Sequence, residues 1–282
     1  MDINLVFLLG LLWTPDAVTC QRTYNQFQFV QAWIPTFCKK YSGCFPNLAP
    51  NFTLHGLWLA TRTGNSVLNC GTSRWDYNIG PETMALAGPL ASAWPSIIIG
   101  RKDKQLWQYE WDKHGTCCLS RMTKMDYFLS VIRERNKMDL LSILSNANIV
   151  PHSDVSYTKL DFENALTQFT GVGNSIYVSC YALNNTHVQL FEIYTCLNYL
   201  ATQVIPCPVS TKQRGCTGSI VFLPNVYSTP NDKMASEPIH SRKKWNSDEN
   251  SPNATKGFRK LLLFGRKTQT GTHQQIEPMD PS

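Results

Sequence analysis

Ten cysteines constrain this chain more than any other feature, because they follow a short apolar leader and all lie before residue 217. Residues 3–13 (INLVFLLGLLW) form an apolar run of 11, too short for a helix spanning a hydrocarbon core of ~30 Å. Ala17, Val18 and Thr19 come next, small residues suited to a signal-peptidase cut, although Asp2 stands where a positive charge is usual. The expectation is a signal peptide over residues 1–20 and a secreted chain; a buried N-terminal helix is the competing reading. In the secretory compartment thiols pair, so an even set of cysteines reads as a disulfide framework. No other stretch is apolar for ~18 residues, so no membrane span is expected. Three glycosylation sequons begin at Asn51, Asn184 and Asn253 and fit the same route.

Over 282 residues, 43% are hydrophobic and 16% charged, a composition that excludes wholesale disorder, collagen-like structure and coiled coil. The formal net charge is +6, and seventeen of the basic residues against twelve of the acids lie in 21–228. That balance permits a polyanionic partner without requiring one. Residues 229–282 hold nine Lys or Arg, six Asp or Glu, five Pro and no Cys. They read as a disordered extension behind a folded domain over 21–228. Their one apolar cluster, in RKLLLFGRK, leaves contact with a membrane surface or a partner as the minor alternative.

Period-2 alternation in YNQFQFVQAW (24–33) predicts a half-buried strand with Phe27, Phe29 and Trp33 on one side and glutamines on the other. NFTLHGLW (51–58) reads as a second strand and 59–80 as loop. Helices are expected over about 82–93, over 103–114 with Gly115 at the stop position, and over 123–145 with a second piece from Asp139. Asp161 is expected to cap a short helix to Phe169. From residue 174 the pattern turns to strands: SIYVSCYAL, HVQLFEIYTCL and GSIVFL.

Two segments carry chemistry: Thr53-Leu-His55-Gly-Leu-Trp58, and Leu106-Trp107-Gln-Tyr109-Glu110-Trp111-Asp-Lys113-His114-Gly-Thr-Cys117-Cys118. On a helix, Glu110 and His114 project to one face, and Lys113 lies close enough round the axis to reach the same cleft. With His55 from a strand, two imidazoles, a carboxylate and an ammonium can surround a phosphate. RNA cleavage by its own 2′-hydroxyl needs a base for that proton and an acid for the departing 5′-oxygen. Histidine does either near neutral pH, a fixed Lys stabilises the phosphorane, and an aromatic ring stacks on a splayed base.

HGLW followed by WxxEWxKHGTC resembles the two active-site segments of the ribonuclease T2 family. The doubled cysteine in KHGTCC resembles that family's plant self-incompatibility branch. FQFVQAWIPTFC and Ile205-Pro-Cys207-Pro extend the likeness over roughly residues 24–223. The resemblance implies an α+β fold, a twisted mainly antiparallel sheet with packed helices, disulfide-bonded. It also implies a monomeric endoribonuclease that cleaves single-stranded RNA through a 2′,3′-cyclic phosphate, with no cofactor. His114 would be the general base and His55 the general acid, with Glu110 and Lys113 steadying the phosphorane. Trp107 would flank the phosphate or ribose, and Trp58 would stack on a base. Tyr109 and Gln31 stand at or beside positions that contact substrate in relatives. In the self-incompatibility branch, recognition by pollen F-box proteins would follow. A stress-type ribonuclease, and a non-catalytic recognition protein on the same fold, are the alternatives.

The chain departs from the family in three places. Leu59 replaces the usual proline after HGLW, Tyr109 a frequent phosphate-binding histidine, and Ala32 a glutamine ahead of Trp33. The resemblance implies bonds Cys38–Cys44, Cys70–Cys117, Cys180–Cys216 and Cys196–Cys207, leaving Cys20 and Cys118. Trp111 reads as core. His152, His187, His240 and His273 lack partner motifs. His114, Cys117 and Cys118 sit close together, but a structural zinc site wants a second paired ligand set that the chain lacks, so no metal is expected.

Overall fold

The alternating segment over residues 24–33 becomes the strand on which the sheet is assembled. A computed structural model of the chain describes residues 23–41, 43–73, 79–182, 188–208 and 216–225. In chain order its elements are β1 (Gln26–Trp33), α1 (Ile34–Lys40), β2 (Phe52–Ala60), α2 (Gly80–Met84) and α3 (Ala87–Ala93). Next come α4 (Asp103–Lys113), a 3-10 turn (Gly115–Cys118), α5 (Lys124–Lys137), α6 (Leu140–Asn146) and β3 (Ser156–Tyr157). The series ends with α7 (Lys159–Thr170), β4 (Ile176–Ala182), β5 (Val188–Asn198) and β6 (Ile220–Val221). The signal-peptide and extension readings, Cys20, Asn184, Asn253, His187, His240 and His273 lie outside the described residues.

The sheet is mixed but mainly antiparallel, as expected. β1 pairs antiparallel with β2 on one edge and with β5 on the other, and β4 pairs antiparallel with the far edge of β5. β6 adds a short parallel pair to β5 and an antiparallel pair to β3. The six-residue strand expected at 218–223 shrinks to Ile220–Val221.

Paired residues share a face, and the register therefore sorts the sheet into two surfaces. One carries Phe27 with Leu59 and Leu197, and Phe29 with Leu57. These bury against Trp107, Trp111, Tyr127 and Phe128 from the helices, and each fully buried side chain contributes roughly 1.5–3 kcal/mol. The other surface carries Gln28 with Trp58, Val30 with Gly56 and Tyr194, and Ala32 with Thr53 and Glu192. β1 is buried on both surfaces rather than half-buried. Gln31 bonds the Met138 carbonyl at 3.3 Å, which satisfies its buried amide N–H.

Local chemistry explains the helix limits. Thr123 caps α5 by accepting from Asp126 N–H. Thr158, not Asp161, caps α7; Asp161 returns the bond from the third helical position, so the pair forms a capping box. Residues 123–145 break at Met138 and Asp139 into α5 and α6. The expected helix over 82–93 is two short helices, the second ending at Trp94. α1 follows β1 directly with Pro35 in its first turn, where a missing N–H costs nothing; seven residues are too few to show a period.

Four disulfides join Cys38 to Cys44, Cys70 to Cys117, Cys180 to Cys216 and Cys196 to Cys207. Among the described residues Cys118 is left as a buried thiol. The Cys70–Cys117 bond closes a separation of 47 residues, which removes about 4 kcal/mol of unfolded-chain entropy in the loop-closure account. It anchors the turn that immediately follows α4.

Candidate active site

A β-bulge on the edge strand sets the first imidazole. Along β1–β2 the register slips: Val30 pairs with Gly56 and Gln31 with Leu54, leaving His55 as the extra residue. A bulge re-aims a side chain and bends its strand. His55 lies edge-on to Trp58, ring centroids 4.9 Å apart. Its Nδ1 meets Oε1 of Glu192.

α4 supplies the second group of residues. Glu110 and His114 stand one helical turn apart on it, and the turn's own geometry carries both to Trp58. The Trp58 indole N–H donates to Glu110 Oε2 at 3.0 Å, and the indole stacks on the His114 ring at 5.2 Å. Trp58 is thus a wall shared by both imidazoles and the carboxylate. Gly56 makes that approach possible, since a Cβ there would lie 2.5 Å from Glu110 Oε2 and collide with the indole. Gly115, expected only to stop the helix, packs its Cα against the Trp111 ring and lets the 3-10 turn start at once.

Burial sets the protonation. His114 is 5% exposed and Glu110 1%. Burial holds His114 well below its usual 6.5, and the charges of Lys113 and His55 push the same way. Burial raises Glu110, opposed by His55, by the Trp58 N–H, by Lys113 and by Arg101. Nδ1 of His114 meets no hydrogen-bond partner among the described residues. A buried neutral imidazole is suited to accept a proton, which is the part a general base plays.

Lys113 donates to the Tyr109 hydroxyl at 3.1 Å. Arg101 lies over the face of the same ring at 5.1 Å, so two cations flank Tyr109 within the field of Glu110. Two residues expected at the site are placed elsewhere. Trp107 is 2% exposed within the core, its indole N–H donating to the Trp94 carbonyl at 2.8 Å. Gln31 is 1% exposed on the opposite surface of the sheet. Arg101 and Glu192 escaped sequence reasoning. Arg101 lies in a loop ahead of α4 with no local signal. Glu192 had one, as a lone carboxylate inside the apolar alternation of HVQLFEIYTCL.

Among the described residues no group of three His, Cys, Asp or Glu side chains is placed to hold a metal ion, and no helix is long and apolar enough to cross a membrane. Cys117 is committed to its disulfide, which removes it from the cluster with His114.

Comparison with known proteins places these features in context. The model of the Ribonuclease T2 family matches residues 24–207. Ribonuclease 3 of Arabidopsis thaliana is 33% identical over 205 residues, covering 71% of this chain and 89% of that protein. RNase NT crystallised with 5′-AMP superposes with a TM-score of 0.61 at 31% identity, over 72% of this chain and 100% of that one. The Nicotiana alata SF11-RNase, associated with gametophytic self-incompatibility, superposes with a TM-score of 0.60 at 26% identity over 71% and 100%.

Proposed function

The chain belongs to the ribonuclease T2 family of endoribonucleases, and from that membership we propose that it cleaves single-stranded RNA with His55, His114 and Glu110 as its catalytic residues. His114 takes the 2′-hydroxyl proton, the 2′-oxygen bonds to phosphorus, and the P–O5′ bond breaks as His55 protonates the 5′-oxygen. The cyclic phosphate is then hydrolysed to a 3′-phosphate with the roles exchanged. Glu110 with Lys113 steadies the phosphorane, and Trp58 offers a stacking surface to a base. The observation that carries this reading is the Trp58 indole, which touches His55, His114 and Glu110 together.

The test is turnover of a single-stranded RNA oligonucleotide by the purified chain in EDTA, with His55→Ala and His114→Ala alongside. Cyclic-phosphate products from the wild type, lost in both variants, are expected. Folded wild-type protein without turnover would overturn the reading.

Secretion is proposed on the leader pattern of residues 1–20 and on four disulfides, which persist in an oxidising compartment. Residues 21–228 form the catalytic domain in this reading and 229–282 an extension. The KHGTCC sequence, the basic body and the likeness to SF11-RNase favour a pistil self-incompatibility ribonuclease recognised by pollen F-box proteins. Expression in a compatible pistil checks the biological part: unaltered acceptance of all pollen genotypes would sink it.

A further inference from the structure

Resting on the catalytic reading of His55, we propose that Glu192 is a positioning residue that fixes the His55 ring with Nδ1–H bonded inward and Nε2 presented to the reacting phosphate.

The carboxylate is built for that task. Glu192 lies on β5, two strands from His55, and Ala32 of β1 stands between them in register with Glu192. A methyl side chain at that position lets the longer groups meet over it. Oε1 receives His55 Nδ1. Oε2 accepts from the Tyr194 hydroxyl at 2.7 Å and from the Ser179 hydroxyl at 3.4 Å. Tyr194 is itself clamped: its ring stacks on Tyr177 at 4.2 Å and touches Trp58 edge-on. Burial, and next the charge of Glu192, raise Tyr194 well above its usual range, so it stays a phenol and stays a donor.

Glu192 is 4% exposed, and His55 is its only positively chargeable partner among the described ion pairs. A buried carboxylate needs such a partner. The bond therefore holds Nδ1 as the donor to Glu192 and leaves Nε2 as the nitrogen from which a proton would pass. When P–O5′ breaks, the Nε2 proton passes to the 5′-oxygen and the ring keeps its Nδ1 proton on Glu192. In the hydrolytic half, Nε2 takes a proton from water and the imidazolium is restored. On the other side of the site, burial first and then the charges of Lys113 and His55 disfavour protonation of His114.

The experiment compares two substrates in the full chain. One is a dinucleoside phosphate, whose alkoxide leaving group needs a proton. The other is a nucleoside 3′-(4-nitrophenyl) phosphate, whose phenolate leaves without one. For Glu192→Gln, kcat on the dinucleoside phosphate is expected to fall about 100-fold, the scale of a general-acid contribution. On the nitrophenyl ester it should fall less than about 5-fold, with KM little changed on both. Glu192→Asp should recover part of the loss, and the downfield Nδ1–H resonance of His55 should vanish in the Gln variant. Equal losses on both substrates, or none on either, would overturn the assignment. His55→Ala separates the two levels. If it leaves dinucleotide cleavage intact, the catalytic reading fails; if it abolishes cleavage while Glu192→Gln keeps the wild-type rate on both substrates, only the role of Glu192 fails.

Discussion

The rings of Trp58 and His114 lie face to face, with planes 18° apart. The same indole bonds Glu110 through its N–H, so one aromatic side chain orients Glu110 and His114, the pair proposed as catalytic, at once. Trp58→Phe keeps the stack and removes the N–H. Losing one hydrogen bond to a charged group costs about 1.5–3 kcal/mol, so kcat/KM on RNA is expected to drop roughly 10- to 100-fold. Trp58→Ala, which loses the stack as well, should drop further. Steady-state kinetics on a short oligonucleotide ranks the three, and a Phe variant at wild-type rate would remove the N–H from the account.

Gly56 admits no side chain. Its Cβ would meet the indole and the Glu110 carboxylate together. Gly56→Ala is expected to cost about 1–3 kcal/mol, in the range of overpacked sites, and to lower kcat more than 100-fold by displacing Glu110. Urea denaturation and initial rates measure the two effects. Wild-type kcat in a destabilised but folded variant would refute the close approach.

The buried imidazole makes stability and activity depend on pH in a defined direction. His114 is held below its unfolded value of about 6.5. The unfolded chain therefore binds more protons at this residue, so its contribution is present above pH ~6.5 and is lost as pH falls through the folded value. Glu110 has the opposite sign: its folded pKa is raised, so its contribution is present below the unfolded value and lost as pH rises. Urea midpoints from pH 7 down to 4, compared with His114→Gln, should show a steeper fall in the wild type. The acid limb of kcat/KM should lie below pH 6.5, because the base stays neutral there; an acid limb above 6.5 would contradict the burial argument.

What the sequence made legible was mostly local. The four-residue spacing of Glu110 and His114, the alternation of β1 and the helix starting at Asp103 all act within one or two turns of chain. The bulge at His55 was not legible, since a slip of register is a relation between two strands. Trp107 sits one turn before Glu110, yet it faces inward to Trp94, because helix rotation is set by packing against a sheet the helix does not contain. Glu192 lies 137 residues from His55, and nothing short of the β1–β5 register reveals their meeting.

Cys118 is the remaining thiol among the described residues. Burial pushes its pKa up to about 12, leaving almost no thiolate at neutral pH. Alkylation of native protein with iodoacetamide at pH 8 is therefore expected to spare Cys118, and labelling in urea should follow unfolding. Peptide mass spectrometry reads both. Rapid native labelling would mean that the core around Tyr127 and Met122 opens far more readily than its packing implies.

β5 has a consequence for how such an enzyme is made. It is the last long strand among the described residues, and it supplies one whole edge of partners to β1. Until residue 198 has left the ribosome, His55 lacks its carboxylate and the sheet lacks its middle. The meeting of His55 with Glu192 is therefore one of the late contacts to become available as the chain is made, because its two halves lie on β2 and β5.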